Sequence, residues 1–168
     1  PADLEELRDT FAASSGDLSA MFGLRYAPWM YTAWHSVRSG QIGRVRLIDT
    51  RKSYKLGKRG RPYLERETYG GTIPWVGSHA IDWIHWFSRK RFLEVGAAHS
   101  KRENRGHGDL ETTAVCRFTL EDEVFATASI DYLRPAAAST HGDDRIRIVG
   151  TDGIVEVMNA EPRIINQD

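Results

Sequence analysis

The chain has 168 residues, of which 40% are hydrophobic and 27% charged, a composition typical of one folded domain with its own core. Its 23 basic and 23 acidic residues cancel, so we expect neither a nucleic-acid nor an anionic-membrane partner, because both attract an excess of Lys and Arg. The single cysteine excludes an internal disulfide, and no apolar run reaches the length of a membrane span; we therefore expect a cytoplasmic protein.

The first quarter of the chain predicts two helices and a strand. Residues 3–13 carry apolar side chains at helical spacing, with acidic residues in the first turn. Residues 18–25 predict a short strand. Residues 31–39 predict a second helix that ends at Gly40, a common C-terminal signal.

The rest of the chain is rich in strand patterns. Alternation or β-branched enrichment predicts strands at 45–54, 92–98, 112–120, 124–132, 145–149 and 154–158. The links at 120–123 and 150–153 are short enough for hairpins, so the strands they join must be antiparallel. The sequence therefore predicts an α+β fold, an open and mostly antiparallel sheet with helices packed on one face.

The segment 70–87 carries the strongest functional signal. It begins with two glycines and continues after Pro74 as a helix. One side of that helix is an apolar stripe, formed by Ala80, Ile81, Ile84 and Phe87. The opposite arc of about 100° holds a different set, His79, Asp82, Trp83 and Trp86. Aromatic side chains around a few polar groups are typical of a small-molecule cleft, although a structural (i, i+3) pair beneath a loop is equally compatible with the pattern.

This segment resembles the helix of the Gfo/Idh/MocA family, which shows Gly-Gly followed by Asp-x-Gly-x-His-x-x-Asp at the start of the first long helix of its C-terminal domain. The matching residues are Gly70, Gly71, Gly77, His79 and Asp82. Three further segments resemble family motifs in the right order, namely Leu24-Arg25-Tyr26-Ala27-Pro28, Ser39-Gly40-Gln41-Ile42-Gly43-Arg44-Val45 and Arg147-Ile148-Val149-Gly150-Thr151-Asp152-Gly153-Ile154-Val155.

The resemblance implies that residues 1–168 are the substrate and dimerisation domain of a two-domain NAD(P)-dependent oxidoreductase. Residues 1–25 would be the tail of its nucleotide-binding domain, since Pro1 falls about where the family's Glu-Lys-Pro motif ends. No G-x-G-x-x-G motif occurs in the sequence. We therefore expect NAD or NADP to be bound mainly by a domain absent from this chain, and the chain alone to be inactive. The family also implies a homo-oligomer formed through the sheet face.

The family's chemistry implies a role for each candidate residue. His79 would be the base that takes a hydroxyl proton from a sugar, cyclitol or related polyol, because its ordinary pKa of about 6.5 suits that task. The substrate-binding set would be Asp82, Trp75, Trp83 and Trp86. The cofactor-binding set would be Gly70, Gly71 and Arg25, although Arg25 is equally suited to an interdomain ion pair.

One departure keeps other functions open. Trp75 stands where the family has the first Asp of the motif, and Trp cannot carry a proton or a negative charge. A non-catalytic sugar-binding or dimerisation module is therefore the alternative. A lyase or hydrolase acting on a sugar derivative is a third, distinguished by incorporation of solvent protons.

Three other features carry weaker predictions. Residues 51–61 include six basic side chains, which predict a solvated loop more readily than a lid for an anionic substrate. His79, Asp82 and His85 do not converge on one helix face, so we expect no metal site. Cys116 lies in a strand pattern and is expected to pack as a small apolar side chain.

Overall fold

A computed structural model describes residues 2–166 and contains a seven-stranded sheet. The strands are β1 (Val45–Tyr54), β2 (Phe92–Ser100), β3 (Thr113–Leu120), β4 (Val124–Asp131), β5 (Gly142–Gly150), β6 (Gly153–Met158) and β7 (Glu161–Asn166). Their order across the sheet is β2-β3-β4-β1-β5-β6-β7, and all neighbours are antiparallel except β1 and β4. The expected α+β fold is confirmed. Strand β7 was not predicted, because Pro162 and two charged residues interrupt its apolar pattern.

Two of the helices cover one face of this sheet. The α-helices within residues 2–166 are α1 (Ala2–Ala12), α2 (Pro28–Arg38), α3 (Arg66–Tyr69) and α4 (Ser78–Ser88). Helix α4 packs on β1 and β4, and α2 packs on β6 and β7. Proline is favoured at the first position of α2, since it lacks the N–H that would have no partner there. Among residues 2–166, no helix combines the length and apolar character that crossing a membrane requires.

The core lies between the sheet and these two helices. Ile48 on β1 is the register partner of Ala126 on β4 and of Ile148 on β5. These three side chains are buried on the face that receives Ile84 and Phe87 of α4. Removing this much apolar surface from water is the main stabilising contribution to the domain.

The N-terminal segment is packed differently from the rest. Helix α1 has no buried residue, and its apolar side chains are exposed together with Leu18. The expected strand at 18–25 is wrong, because residues 23–26 form a 3₁₀ turn and no described strand pairs with this segment. A strand needs a neighbour to take up its backbone hydrogen bonds. Pro1, Gln167 and Asp168 belong to the expected 1–168 domain but lie outside the described residues.

Two glycine-containing segments, 40–43 and 150–153, meet at one end of the sheet. The expected turn at Gly150-Thr151-Asp152-Gly153 is confirmed as the hairpin between β5 and β6. The Asp152 amide donates a hydrogen bond of 3.0 Å to the Ile42 carbonyl. A Cβ on Gly150 would lie 1.9 Å from that carbonyl oxygen, so only glycine permits the approach.

The basic run at 51–61 is not a uniformly solvated loop. Its first four residues complete β1, and Lys52 is entirely buried on the helix side. The Arg59 guanidinium lies 4.6 Å from the centre of the Tyr132 ring. Charge alone predicted solvent exposure here, but the alternation along β1 determines which side chains point inward.

The sheet face away from the helices carries both polar and apolar side chains. Val115 and Phe125 are about half exposed on this side. The expectation that this face forms a subunit contact stays a prediction.

Candidate active site

The glycine pair allows a sharp change of direction before α4. Gly70 ends α3 with φ of 74°, and Gly71 follows with φ of 112°, both in the region that favours glycine. A Cβ on Gly71 would lie 2.3 Å from a guanidinium nitrogen of Arg66, which forms an ion pair with Glu111. Gly71 is buried and Gly70 is exposed. Of the two glycines expected to bind cofactor, only Gly70 therefore lies at the surface.

Glu111 anchors this turn from the loop before β3. Glu111 is 1% exposed, and its carboxylate accepts hydrogen bonds from the Thr72 amide at 3.0 Å and from His99 Nδ1 at 2.9 Å. Burial opposes its charged form, but the Thr72 amide and the Arg66 charge hold its pKa below the usual value. Sequence reasoning missed Glu111, because an acidic residue in a loop carries no sign of its burial.

A π-helical turn, Ile73–Gly77, leads directly into α4. Such turns are rare and occur often at functional sites. A Cβ on Gly77 would lie 3.3 Å from Ile130 Cδ1, so this glycine lets the start of α4 approach β4 closely. The close approach places His79 in the first turn of α4, as the sequence predicted.

His79 is partly buried and has an imidazole nitrogen without a partner. Nδ1 is buried and makes no hydrogen bond within the described residues, while the ring meets the edge of Phe22 at a centroid distance of 5.7 Å. Burial lowers the pKa of His79, and the nearby Lys52 charge lowers it further, against opposing contributions from Asp144 and Asp82. The lowered pKa favours the neutral imidazole, which is the form that accepts a proton.

Asp82 binds Arg25 at two points. Arg25 Nε donates to one carboxylate oxygen at 2.9 Å, and the terminal nitrogen donates to the other. The Asp82 side chain is 7% exposed and that of Arg25 is 34% exposed. The hydrogen bond with Asp82 raises the pKa of Arg25. The residues expected to bind substrate and cofactor are thus brought together, but the described hydrogen bonds do not link Asp82 to His79.

The three tryptophans expected to form a substrate wall have different environments. Trp83 is 1% exposed and faces the core, where Lys52 lies over its ring. Trp86 stacks on Trp34 at 5.4 Å between ring centres. Trp83 therefore presents no open surface, whereas Trp86 is partly buried beside Trp34 of α2, and the substrate-binding set stays a prediction. Trp75 is 51% exposed and packs against Tyr63 and Tyr69.

Lys52 is the second residue that sequence reasoning missed. Its Nζ lies 2.7 Å from Asp144 Oδ1, in an ion pair whose angles are not those of a hydrogen bond. Burial lowers the pKa of Lys52 and Asp144 opposes the shift. The signal was present in the alternation of β1, where Ile48, Thr50 and Lys52 share one face.

A cleft of about 390 Å³ opens beside this ion pair. Asp144 contributes to its wall together with Trp29 at the start of α2 and Asn159 in the turn after β6. An aromatic ring beside carboxylate and amide groups is typical of sites that bind polar small molecules.

Comparison with known proteins identifies relatives of this chain. The sequence profile described as the GFO/IDH/MocA C-terminal domain matches residues 30–156. Among solved structures, an oxidoreductase candidate from Thermotoga maritima is 57% identical over 99% of this chain and 51% of its own length, with a TM-score of 0.96. One from Erwinia carotovora atroseptica is 19% identical over 97% of this chain and 55% of its own, with a TM-score of 0.79.

A levoglucosan dehydrogenase solved with NADH and L-sorbose is 16% identical over 88% of this chain and 43% of its own, with a TM-score of 0.74. At such low identity the likeness shows the fold alone. This chain spans about half the length of the solved structures it matches. No curated protein sequence matches it.

Proposed function

The chain belongs to the GFO/IDH/MocA family, and from this we propose that it is the substrate-binding and catalytic domain of an NAD(P)-dependent oxidoreductase. The reaction we assign is hydride transfer between a nicotinamide cofactor and a hydroxyl-bearing carbon of a sugar, cyclitol or related polyol. Support comes from the relatives: the 57% identical structure is that of an oxidoreductase candidate, and a structural neighbour is a levoglucosan dehydrogenase solved with NADH and L-sorbose.

The observation that carries the proposal is the state of His79. Oxidation of an alcohol requires a base to take the hydroxyl proton while the hydride leaves. Burial and the Lys52 charge favour the neutral form of His79, and the residue is only partly buried. We therefore assign the base role to His79, as the family resemblance implies.

The residues around His79 fit one end of a nicotinamide cofactor better than its phosphates. Gly71 faces the Arg66 guanidinium rather than open space, so the glycine pair forms no cradle for a phosphate. Arg25 is one-third exposed beside His79's helix and is held there by Asp82. A nicotinamide ring bound near these groups would accept or supply the hydride. We assign the remainder of the cofactor, NAD or NADP, to a nucleotide-binding domain outside this sequence.

The exposure of each side chain in the motif determines whether we assign it to the substrate. Trp75 is the exposed tryptophan of the motif and is available to stack on a sugar ring. Asp82 acts by holding Arg25 in place, since both of its oxygens are already bound. We assign the face of β3 and β4 that bears Val115 and Phe125 to contact with a second copy of the chain.

The proposal is tested with the complete protein that contains this sequence, assayed with NAD and NADP against a panel of sugars and cyclitols. With the best substrate, His79→Ala should lower kcat at least tenfold while leaving cofactor affinity nearly unchanged. His85→Ala is the matched control, because His85 is exposed on the same helix and stacks on Phe92 instead. Equal kcat for both variants would remove His79 from the reaction.

A non-catalytic sugar-binding or dimerisation module is the second candidate. Trp75 favours it, since the family's acid is lost at this position and the indole packs against two tyrosines. Calorimetry with the same sugar panel separates the two. Sugar binding without turnover under any cofactor supports the module, and reduction of NAD or NADP supports the enzyme.

A further inference from the structure

Lys52 occupies an environment that charged side chains rarely enter. It is 0% exposed, with its Nζ 4.6 Å from the centre of the Trp83 ring and 5.2 Å from that of Tyr54. Lysine is almost never fully buried unless it is paired, because removal of the ammonium from water costs several kcal/mol. A buried lysine therefore needs a compensating anion close by.

Asp144 is that anion. It is the cross-strand register partner of Lys52 between β1 and β5, and both side chains point to the helix face of the sheet. The Asp144 side chain is 20% exposed and lines the 390 Å³ cleft. The pair thus joins the interior beneath α4 to a cleft that opens to solvent.

The pair lies beneath the turn of α4 that carries His79. Ile130, the neighbour of Lys52 on β4, contacts Gly77 at the start of that turn. Trp83, one turn beyond His79, packs on the Lys52 ammonium. Two charges of opposite sign are therefore fixed on the sheet beneath the helix that carries His79.

The other charged group near His79 is already balanced. Asp82 lies on the same helix as His79 and is bound at two points by Arg25 from the 3₁₀ turn. From β1 and β5 the groups that face His79 are Lys52 and Asp144, and from β4 the contact is the apolar Ile130. The charge balance at His79 thus depends on the buried pair.

We propose that Lys52 and Asp144 are positioning residues that together set the charge of His79, with Lys52 favouring the neutral imidazole that acts as a base and Asp144 opposing that effect. This inference rests on the proposed function of His79 as the proton acceptor. Trp75 cannot influence His79 in this way, since it is uncharged.

Loss of one charge or of the other should shift the titration of His79 in opposite directions. This distinguishes an electrostatic role of the pair from a structural one. Loss of the Lys52 charge leaves Asp144 alone below His79 and stabilises the imidazolium. Loss of the Asp144 charge leaves Lys52 alone and destabilises it. A general loosening of the site would move His79 in the same direction in both variants, towards the behaviour of a solvated histidine.

The experiment is an NMR titration of the His79 ring in the 168-residue chain, with His79→Gln used to assign its signals. Lys52→Met should raise the titration midpoint, and Asp144→Asn should lower it, each by about 0.5 pH units or more. Methionine keeps the length and apolar stem of lysine, and near-ultraviolet circular dichroism verifies that each variant is folded. If Lys52→Met does not fold, adding Lys52→Met to Asp144→Asn should raise the midpoint above that of Asp144→Asn alone.

A matched pair on the other face of the same two strands provides the control. Asp49 and Arg147 are also register partners between β1 and β5, but they lie on the side away from α4. Asp49→Asn and Arg147→Met should leave the His79 midpoint unchanged. Shifts of the same sign for Lys52→Met and Asp144→Asn, or no shift in either, would overturn the proposal.

The titration needs neither cofactor nor substrate, so its result does not depend on whether the proposed function is correct. In the complete enzyme, Lys52→Met should move the acidic limb of the kcat profile to higher pH, as in the titration. Opposite NMR shifts with normal kcat in His79→Ala would support the pair and reject the assigned base.

Discussion

Arg25 and Asp82 are 57 residues apart in sequence and form a two-point ion pair between the N-terminal segment and helix α4. The guanidinium also lies 5.6 Å from the centre of the Trp86 ring, so it bridges the acid and an aromatic side chain of the same helix. This pair joins the segment before α2 to the surface that carries His79.

Breaking this pair should destabilise the chain. Arg25→Ala leaves Asp82, which is 7% exposed, without a counter-charge, and we expect a loss of about 1 to 3 kcal/mol in the free energy of unfolding. Urea denaturation measures the change. Arg8→Ala is the control, since Arg8 and Asp9 form an exposed pair that should contribute less than about 1 kcal/mol. Equal losses in the two variants would contradict the importance of the Arg25 contact.

Substitution of Gly71 should destabilise the fold by more than its backbone strain alone would. Gly71→Ala combines strain at φ of 112° with displacement of Arg66 from Glu111, and we expect about 2 to 3 kcal/mol of destabilisation. Gly40→Ala provides the comparison, because Gly40 also has a positive φ but has open space around it. Thermal unfolding of the two variants should give a smaller loss for Gly40→Ala, and a larger loss there would count against the Arg66 contact.

Glu111 should be essential to the turn that precedes α4. Glu111→Gln removes the charge that pairs with Arg66 and weakens the hydrogen bond with His99, and we expect about 2 to 4 kcal/mol of destabilisation. Glu121→Gln is the matched control, since Glu121 also accepts from an arginine and a backbone amide but at an exposed site. Chemical denaturation at pH 7 compares them. A loss for Glu111→Gln no greater than for Glu121→Gln would refute this assignment.

The lowered pKa of His79 should make stability depend on pH. Since the unfolded chain binds a proton at about 6.5 and the folded chain only at a lower pH, stability should fall as pH decreases below about 6.5, until the folded pKa is reached. Above that window the contribution of His79 is constant. The slope of the unfolding free energy against pH, measured from pH 5 to 8, should be smaller in His79→Gln than in the unmodified chain. An unchanged slope would show that His79 titrates normally.

Much of the fold could be predicted from the sequence because its signals are local. The alternation along β1 and β3, the glycine turn at 150–153 and the helix after Pro74 each follow from neighbouring residues. The parallel pairing of β1 with β4 could not be predicted, since no local pattern specifies which distant strands become neighbours.

The candidate site was predicted less completely than the fold. The motif located His79 and Asp82 correctly on one helix, but helical periodicity could not show that Arg25 binds Asp82 or that Trp83 faces inward. Lys52 and Glu111 were missed for one physical reason. Charged residues are usually solvated, so charge outweighed the alternation of β1 at Lys52, and no local pattern indicated the burial of Glu111.

The central position of β1 has a consequence for how the protein folds during synthesis. The Ser53 hydroxyl of β1 donates a hydrogen bond to Asp131 of β4, which lies 78 residues later in the sequence, and β5 lies still further along the chain. At a ribosomal rate of about 5 to 20 residues per second, β1 waits roughly 4 to 16 s before β4 has been made. During that interval both of its edges lack their native neighbours, so the nascent chain depends on late contacts to complete the sheet. We expect the slow step of folding to be the capture of β1 between β4 and β5.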